Sequence, residues 1–335
     1  MNKKTALFLT VSLVCFALVF VVALMVGKYS IPINEFFKAV FTADEAFFTQ
    51  RSIVLNLRLP RTVIAGLTGI GLSLSGLLYQ EIFRNKLTSP DLLGVSSGAA
   101  VGAALAIILG LGSAFISIFA FITGVATVIL TMLLSRLFKN GSSITLVLAG
   151  IIVGGFMSAL LSIIKYLADP VTTLSSITYW LMGSFENSTM EKVWILLPIV
   201  GVCATVLVIL SWRINIVAMG REQAQTKGIN YGLYRILIIG IATLLTATSV
   251  AFSGTIGWIG LVIPHVVRTI VGRDARRTIP LCITFGGVFM MAVDILSRSF
   301  TNQEIPLSAV TGVIGTVIFV VILLTKRRET NANKD

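Results

Sequence analysis

Ten stretches of this chain are long and apolar enough to cross a lipid bilayer as helices, and that repetition limits the fold more than any other feature. A hydrocarbon core about 30 Å thick takes roughly 17–25 helical residues. The runs fall at about 5–26, 59–80, 93–110, 114–135, 145–167, 194–212, 232–252, 256–272, 278–297 and 306–325. Within lipid every backbone polar group needs a partner inside the protein, which leaves helices or a closed barrel. A barrel shows alternating segments of about ten residues, and these runs do not alternate. The expected fold is an all-α integral membrane protein of about ten transmembrane helices, forming a single transmembrane domain over residues 1–335.

Composition agrees: 56% of residues are hydrophobic and 12% charged, against roughly 25% charged in soluble domains. The net charge of +12 reflects the Lys and Arg that gather in cytoplasmic loops of membrane proteins, and no soluble basic domain exists to bind nucleic acid. Lys3 and Lys4 precede a first run that is too long for the roughly 7–15-residue core of a signal peptide. The loops after alternate spans carry Arg84 and Lys86, Arg136 and Lys139, Arg213, Arg221, Lys227 and Arg235, then Arg273, Arg276 and Arg277. The tail adds Lys326, Arg327 and Arg328. This bias places both termini in the cytoplasm, with Lys28, Lys38 and Arg51 as exceptions on the other side. Residues 27–57, with Asp44 among their charges, read as an external amphipathic segment.

Small residues recur at helical spacing: Gly94, Gly98 and Gly102, and again Gly150 and Gly154. In lipid such faces let helix backbones approach closely. One inner loop stands apart. Residues 213–231, RINIVAMGREQAQTKGINY, are polar, broken by Gly220 and Gly228, and long enough for two short helices. They read either as a solvated connector or as a docking element for another subunit.

Little in the chain supports chemistry. His265 is the single histidine and follows Pro264, where it serves freed backbone groups better than a metal. Cys15, Cys203 and Cys282 lie in apolar runs without ligand spacing and read as small packing residues. Asp294 and Arg298 stand one helical turn apart and can pair, while Lys165 and Asp169 read as snorkelling residues at a helix end. No GxxxxGK[ST] phosphate loop occurs. The expectation is a non-enzyme with no catalytic residues, metal site or cofactor of its own, so that ATP-driven work would fall to a partner subunit docked at 213–231.

Three stretches then resemble one family. LRLPRTVIAGLTGIGLSLSGLLYQ leading into RNKLTSPDLLGVSSGA, the later AFSGTIGWIGLVIPHVVRTIVGRDARRTIP, and the run from Asp294 through EIPLSAVTGVIGTVIF occur in the order seen in permeases of ABC importers for iron–siderophore complexes, haem and cobalamin (the FecCD-like, type II importers). The resemblance implies a dimer of ten-helix subunits, identical or paralogous, in a bacterial cytoplasmic membrane. It also implies two cytoplasmic ATP-binding subunits and an extracytoplasmic substrate-binding protein.

By the same resemblance, Arg58, Arg61 and Arg298 form pockets for two glutamates of the binding protein, a role that suits the planar, bidentate guanidinium. Gly220, Ala224 and Gly228 match the family's ATPase-docking loop, small enough to sit in a groove of the partner, with Arg221 and Glu222 as rim contacts. Asn85 and Leu87, with Ser143 and Ile144, match the cytoplasmic gate, although the family's Asn-Pro-Leu-Ala reads Asn85-Lys86-Leu87-Thr88 here. The small and hydroxyl residues of LAGIIVGGFMSALLSIIKY suit a wide, weakly polar path. Ferric siderophore is the first expected cargo, then haem, then cobalamin. A secondary transporter and a membrane transferase are the rival readings.

Overall fold

A computed structural model of the chain describes residues 3–29, 31–41, 45–138, 143–301 and 303–332. Asp44 and Lys139 of the loop-charge reading fall outside these residues, as do the side chains of Lys326, Arg327 and Arg328. In chain order the helices are α1 (Lys3–Met25), α2 (Ile33–Phe41), α3 (Phe48–Phe83), α4 (Val95–Ile108), α5 (Ser113–Leu137), α6 (Ser143–Leu167) and α7 (Thr173–Met182). They continue as α8 (Met190–Met219), α9 (Arg221–Thr226), α10 (Tyr231–Ser253), α11 (Ile259–Val271), α12 (Ala275–Ser299) and α13 (Leu307–Ala332).

Each of the ten expected spans has its helix. Seven are long and apolar enough to cross a membrane: α1, α3, α5, α6, α8, α10 and α12. Of the other three, α4 and α11 are short, and α13 is apolar over Leu307–Ile322. The 14 residues of α4 and the 13 of α11 extend only about 20 Å at about 1.5 Å per residue, less than the bilayer core. Irregular backbone beside them is therefore satisfied from within the protein, as lipid requires. Thr131 Oγ1 donates to the Leu93 carbonyl at 3.1 Å, Gln80 Nε2 to that of Gly260 at 3.2 Å, and the Leu307 N–H to that of Gly183 at 3.1 Å.

The bundle is organised around α3, whose most apolar window is 94% buried, against 22% for α6. Small residues make that centre possible. A Cβ on Gly69 would lie 2.8 Å from the carbonyl carbon of Gly286 in α12 and 2.6 Å from Met290 Cβ, so these two helices meet backbone to backbone. Hydroxyls supply polar cross-links: Ser73 Oγ donates to the Cys282 carbonyl at 2.7 Å, and Ser75 shares a 2.5 Å hydrogen bond with Thr246.

Several expectations change. The segment 27–57 is not one external excursion, because α3 begins at Phe48 and runs on through a π-helical turn at Ile53–Arg58. Only α2 remains as the amphipathic piece, with Phe36 buried and Phe37 exposed. The segment 213–231 is not a loop with two short helices: α8 continues to Met219, and only the six-residue α9 follows. Buried Ile214, Ile216 and Val217 hold the extra turns of α8 in place. Cys203 and Cys282 are buried as expected, but Cys15 is exposed on α1. Asp169 is a turn-former rather than a snorkelling residue. It accepts from the Thr172 hydroxyl at 2.7 Å and the Thr172 N–H at 2.8 Å, bonds that hold its carboxyl below the usual carboxylate range.

Candidate functional site

The predicted residues fall at the two opposite ends of the bundle. At one end, Arg58 and Arg61 sit where the π turn passes into regular α3, and Arg298 lies in the last turn of α12. All three are buried. Arg58 donates to the Leu24 carbonyl at 3.0 Å, the Met25 carbonyl at 2.5 Å, and the carbonyl of Tyr29. Arg298 donates to the Ala23 carbonyl at 2.5 Å. The last carbonyls of a helix lack intrahelical donors, so the two arginines cap the end of α1.

Arg61 does something different. Its Nε meets Asp294 Oδ1 at 2.8 Å, while its two terminal nitrogens reach Glu304 Oε1 at 2.6 Å and Oε2 at 3.0 Å. Asp294 also pairs with Arg298 at 3.2 Å, the helical-turn pair read from spacing. Two cations and two anions thus form a compact chain, Glu304–Arg61–Asp294–Arg298, in which Asp294 is fully buried and Glu304 keeps 17% side-chain exposure. The fork-on-fork contact with Glu304 is the bidentate geometry that suits Arg. Glu304 was missed: it lies 243 residues from Arg61 in sequence, and only its place in EIPLSAV, just before α13, hinted at a role. Beside this end, α3, α5, α8 and α10 line a half-open cleft of about 1100 Å³ with walls such as Ile118, Phe121 and Phe252 and a rim of Glu186, Glu191 and Lys192.

At the other end, Gly220 stops α8 with φ +106° and begins α9. Arg221 and Glu222 are exposed on its first turn. Ala224 is fully buried against its own chain, so its small side chain serves internal packing rather than a partner's groove. Its N–H donates to the Gly220 carbonyl at 2.9 Å, and its carbonyl accepts from Ile229 at 2.9 Å. Gly228 closes the turn with φ +70°. Asn215, in the last turns of α8, donates to Asp274 Oδ1 at 2.7 Å and accepts from the Ala275 N–H at 2.7 Å. Burial pushes the Asp274 carboxyl up, but the bonds from Asn215 and the Arg276 N–H outweigh it and hold the group below the usual range.

The residues expected at a gate share this end. Asn85 Oδ1 accepts from the Leu87 N–H at 2.9 Å, which turns the chain sharply. Leu87 is 59% exposed and Ile144 72% exposed, and Ser143 opens α6. Nearby, His265 is buried with its ring 5.8 Å from that of Phe319. Among the described residues no group of three or more His, Cys, Asp or Glu comes together as a metal site.

Known proteins show the same architecture. The model of the FecCD transport family matches residues 15–325. The molybdate import system permease protein MolB of Haemophilus influenzae is 37% identical over 92% of this chain and 92% of its own length. A probable iron chelatin transport system permease protein of Helicobacter pylori is 34% identical over 95% and 98%, and further relatives are named for vitamin B12 import. A solved structure described as an inward-facing conformation of a metal-chelate type ABC transporter superposes with a TM-score of 0.85 at 34% identity, covering 95% of this chain and 98% of that one. The chain belongs to the FecCD transport family, as a membrane permease of the ABC-importer class.

Proposed function

We propose that this permease carries a metal already wrapped in its own ligands, a ferric siderophore first, across the bacterial cytoplasmic membrane toward the end that bears α9. Two cytoplasmic ATP-binding subunits dock there, with Arg221 and Glu222 as contacts between Gly220 and Gly228, and their ATP hydrolysis drives the cycle. A substrate-binding protein delivers cargo at the arginine end. A second permease, identical or paralogous, completes the path, with Asn85, Leu87, Ser143 and Ile144 gating its cytoplasmic mouth. In this reading the protein is a single transmembrane permease domain with both termini on the ATPase side.

The observation that carries the reading is α9. It is a short helix with exposed polar residues, yet it is rooted by fully buried Ala224 and by the Asn215 bonds to α12. A mere connector gains nothing from such anchoring, whereas a lever must be rigid to pass on force. Delivery at the other end is supported by the carboxylate grip of Arg61, since an incoming glutamate can exchange for Glu304. The lack of a ligand cluster among the described residues suits a cargo whose coordination shell is already full. Molybdate, haem and cobalamin meet that condition too, and the molybdate permease among the relatives makes the oxyanion the second reading.

The test is uptake by the reconstituted transporter in proteoliposomes, offered a ferric siderophore, molybdate, haem or cyanocobalamin with its binding protein. ATP-dependent accumulation of the siderophore supports the proposal, and accumulation of another cargo alone corrects the substrate. Uptake that survives ATP depletion, with no ATP-binding subunit co-purifying, overturns it in favour of a secondary transporter.

A further inference from the structure

We infer that Arg84 is a positioning residue that locks the ATPase-docking segment to α3, so that a displacement of α9 moves the central helix of the bundle. The inference rests on the reading of residues 220–230 as that segment.

Arg84 caps α3 in the left-handed conformation, with φ 52° and ψ 27°. Helices commonly end this way, but on Gly, which meets no steric penalty there. A long cationic side chain at this position points to a use for the side chain. Its Nε donates to the Ala218 carbonyl at 3.0 Å, one of the orphan carbonyls in the last turn of α8. Its guanidinium fills the space beside Gly220, where any Cβ would overlap it. Gly220 is thus favoured by its φ of +106°, and a Cβ there would push the Arg84 guanidinium off its seat.

The contact joins elements 134 residues apart in sequence, and both sides are stiff. On the docking side, Ala218 and Gly220 lead directly into α9, while Asn215 one turn earlier clamps α8 to the start of α12. On the other side, α3 meets its neighbours without compliant filler: a Cβ on Gly76 would lie 2.6 Å from Gly260 Cα in α11, as tight as the Gly69–Gly286 approach to α12. The start of the regular part of α3, about 35 Å away at about 1.5 Å per residue, carries Arg61 and its carboxylates. The Asn85 turn of the proposed gate follows Arg84 directly. One side chain therefore stands where the docking segment, the gate loop and the central helix meet.

Coupling between two sites is measured by the effect of one on the other. The complete transporter, in nanodiscs with its ATP-binding subunits, is assayed for ATP hydrolysis with and without the substrate-binding protein. Arg84→Gly is the informative variant, because glycine favours the left-handed turn while deleting the strut. The ratio of stimulated to unstimulated hydrolysis is expected to fall about tenfold, and Arg84→Lys is expected to recover part of it. A wild-type ratio in Arg84→Gly overturns the inference, since only the turn would then matter. Loss of the ATP-binding subunits from purified Arg84→Gly complex also overturns it, because Arg84 would then shape the docking face instead of relaying motion. The underlying reading fails separately if replacing residues 221–226 with a Gly-Ser linker leaves those subunits bound.

Discussion

Asp294 is closed off from solvent. It is fully buried, hydrogen-bonded by Arg61 at 2.8 Å and ion-paired with Arg298 at 3.2 Å without hydrogen-bond geometry. Removing one member of such a cluster leaves an uncompensated buried charge, which costs about 3–5 kcal/mol. Asp294→Asn is therefore expected to lower the thermal unfolding midpoint of the detergent-solubilised protein sharply, and an unchanged midpoint would refute the charge cluster as a stabilising unit. Glu304→Gln tests a different point, because Glu304 is the partly exposed member. It leaves the outward fork of Arg61 without a carboxylate. If delivery proceeds through carboxylate exchange, the binding protein should dissociate more slowly from this variant, as read by surface plasmon resonance. Unchanged or faster dissociation assigns the three arginines to internal structure. The Asp294–Arg298 pair was legible from one-turn spacing, and the arginines from resemblance. The partnership of Arg61 with Asp294 and Glu304 was not legible, since contacts 233 and 243 residues apart leave no local signal.

Helices were legible where hydropathy set them and illegible where packing did. The ten spans follow from apolar length, but α8 outlasts its apolar run through Arg213 and Asn215 to Met219. Ile214 and Val217, three residues apart and both buried, were the available sign. The unexpected α7 carried a similar one: Leu174, Ile177 and Leu181 share a cluster with Val101 and Ala104 of α4 and with Ile164 near the end of α6. Glycine spacing announced close helix contact without saying which glycine meets what. The structure separates them. Gly69 faces the α12 backbone with no room for a methyl group, whereas nothing lies within 4 Å of a Cβ on Gly155. Gly69→Ala overpacks a tight contact and is expected to destabilise by about 1–3 kcal/mol, visible as a lower unfolding midpoint. Gly155→Ala, in α6, should leave the midpoint unchanged or slightly raised by its better helix propensity. Equal midpoints for the two variants would contradict the packing around α3.

For the molecule as a whole, the geometry clarifies the charge asymmetry from which orientation was read. Arg58, Arg61 and Arg298 stand at the end opposite α9 yet are buried and engaged by the protein's own carbonyls and carboxylates. They therefore weigh little as free loop charges there. At the α9 end, Arg221 and Lys227 are exposed, as are Arg273 and Arg276 between and at the start of α11 and α12. The positive-inside bias becomes steeper once the buried arginines are set aside, which supports the proposed placement of the α9 end on the ATPase side. Single cysteines decide the matter: Asn187→Cys before α8 and Lys227→Cys after α9, each in a background with Cys15 replaced by Ser, since Cys203 and Cys282 are already buried. A membrane-impermeant maleimide added to intact cells, or to spheroplasts where an outer membrane blocks access, is expected to label Asn187→Cys. Lys227→Cys should react only after the membrane is opened. The reverse pattern would leave α9 facing away from any ATP-binding subunit, and neither the proposed docking nor the relay through Arg84 could survive it.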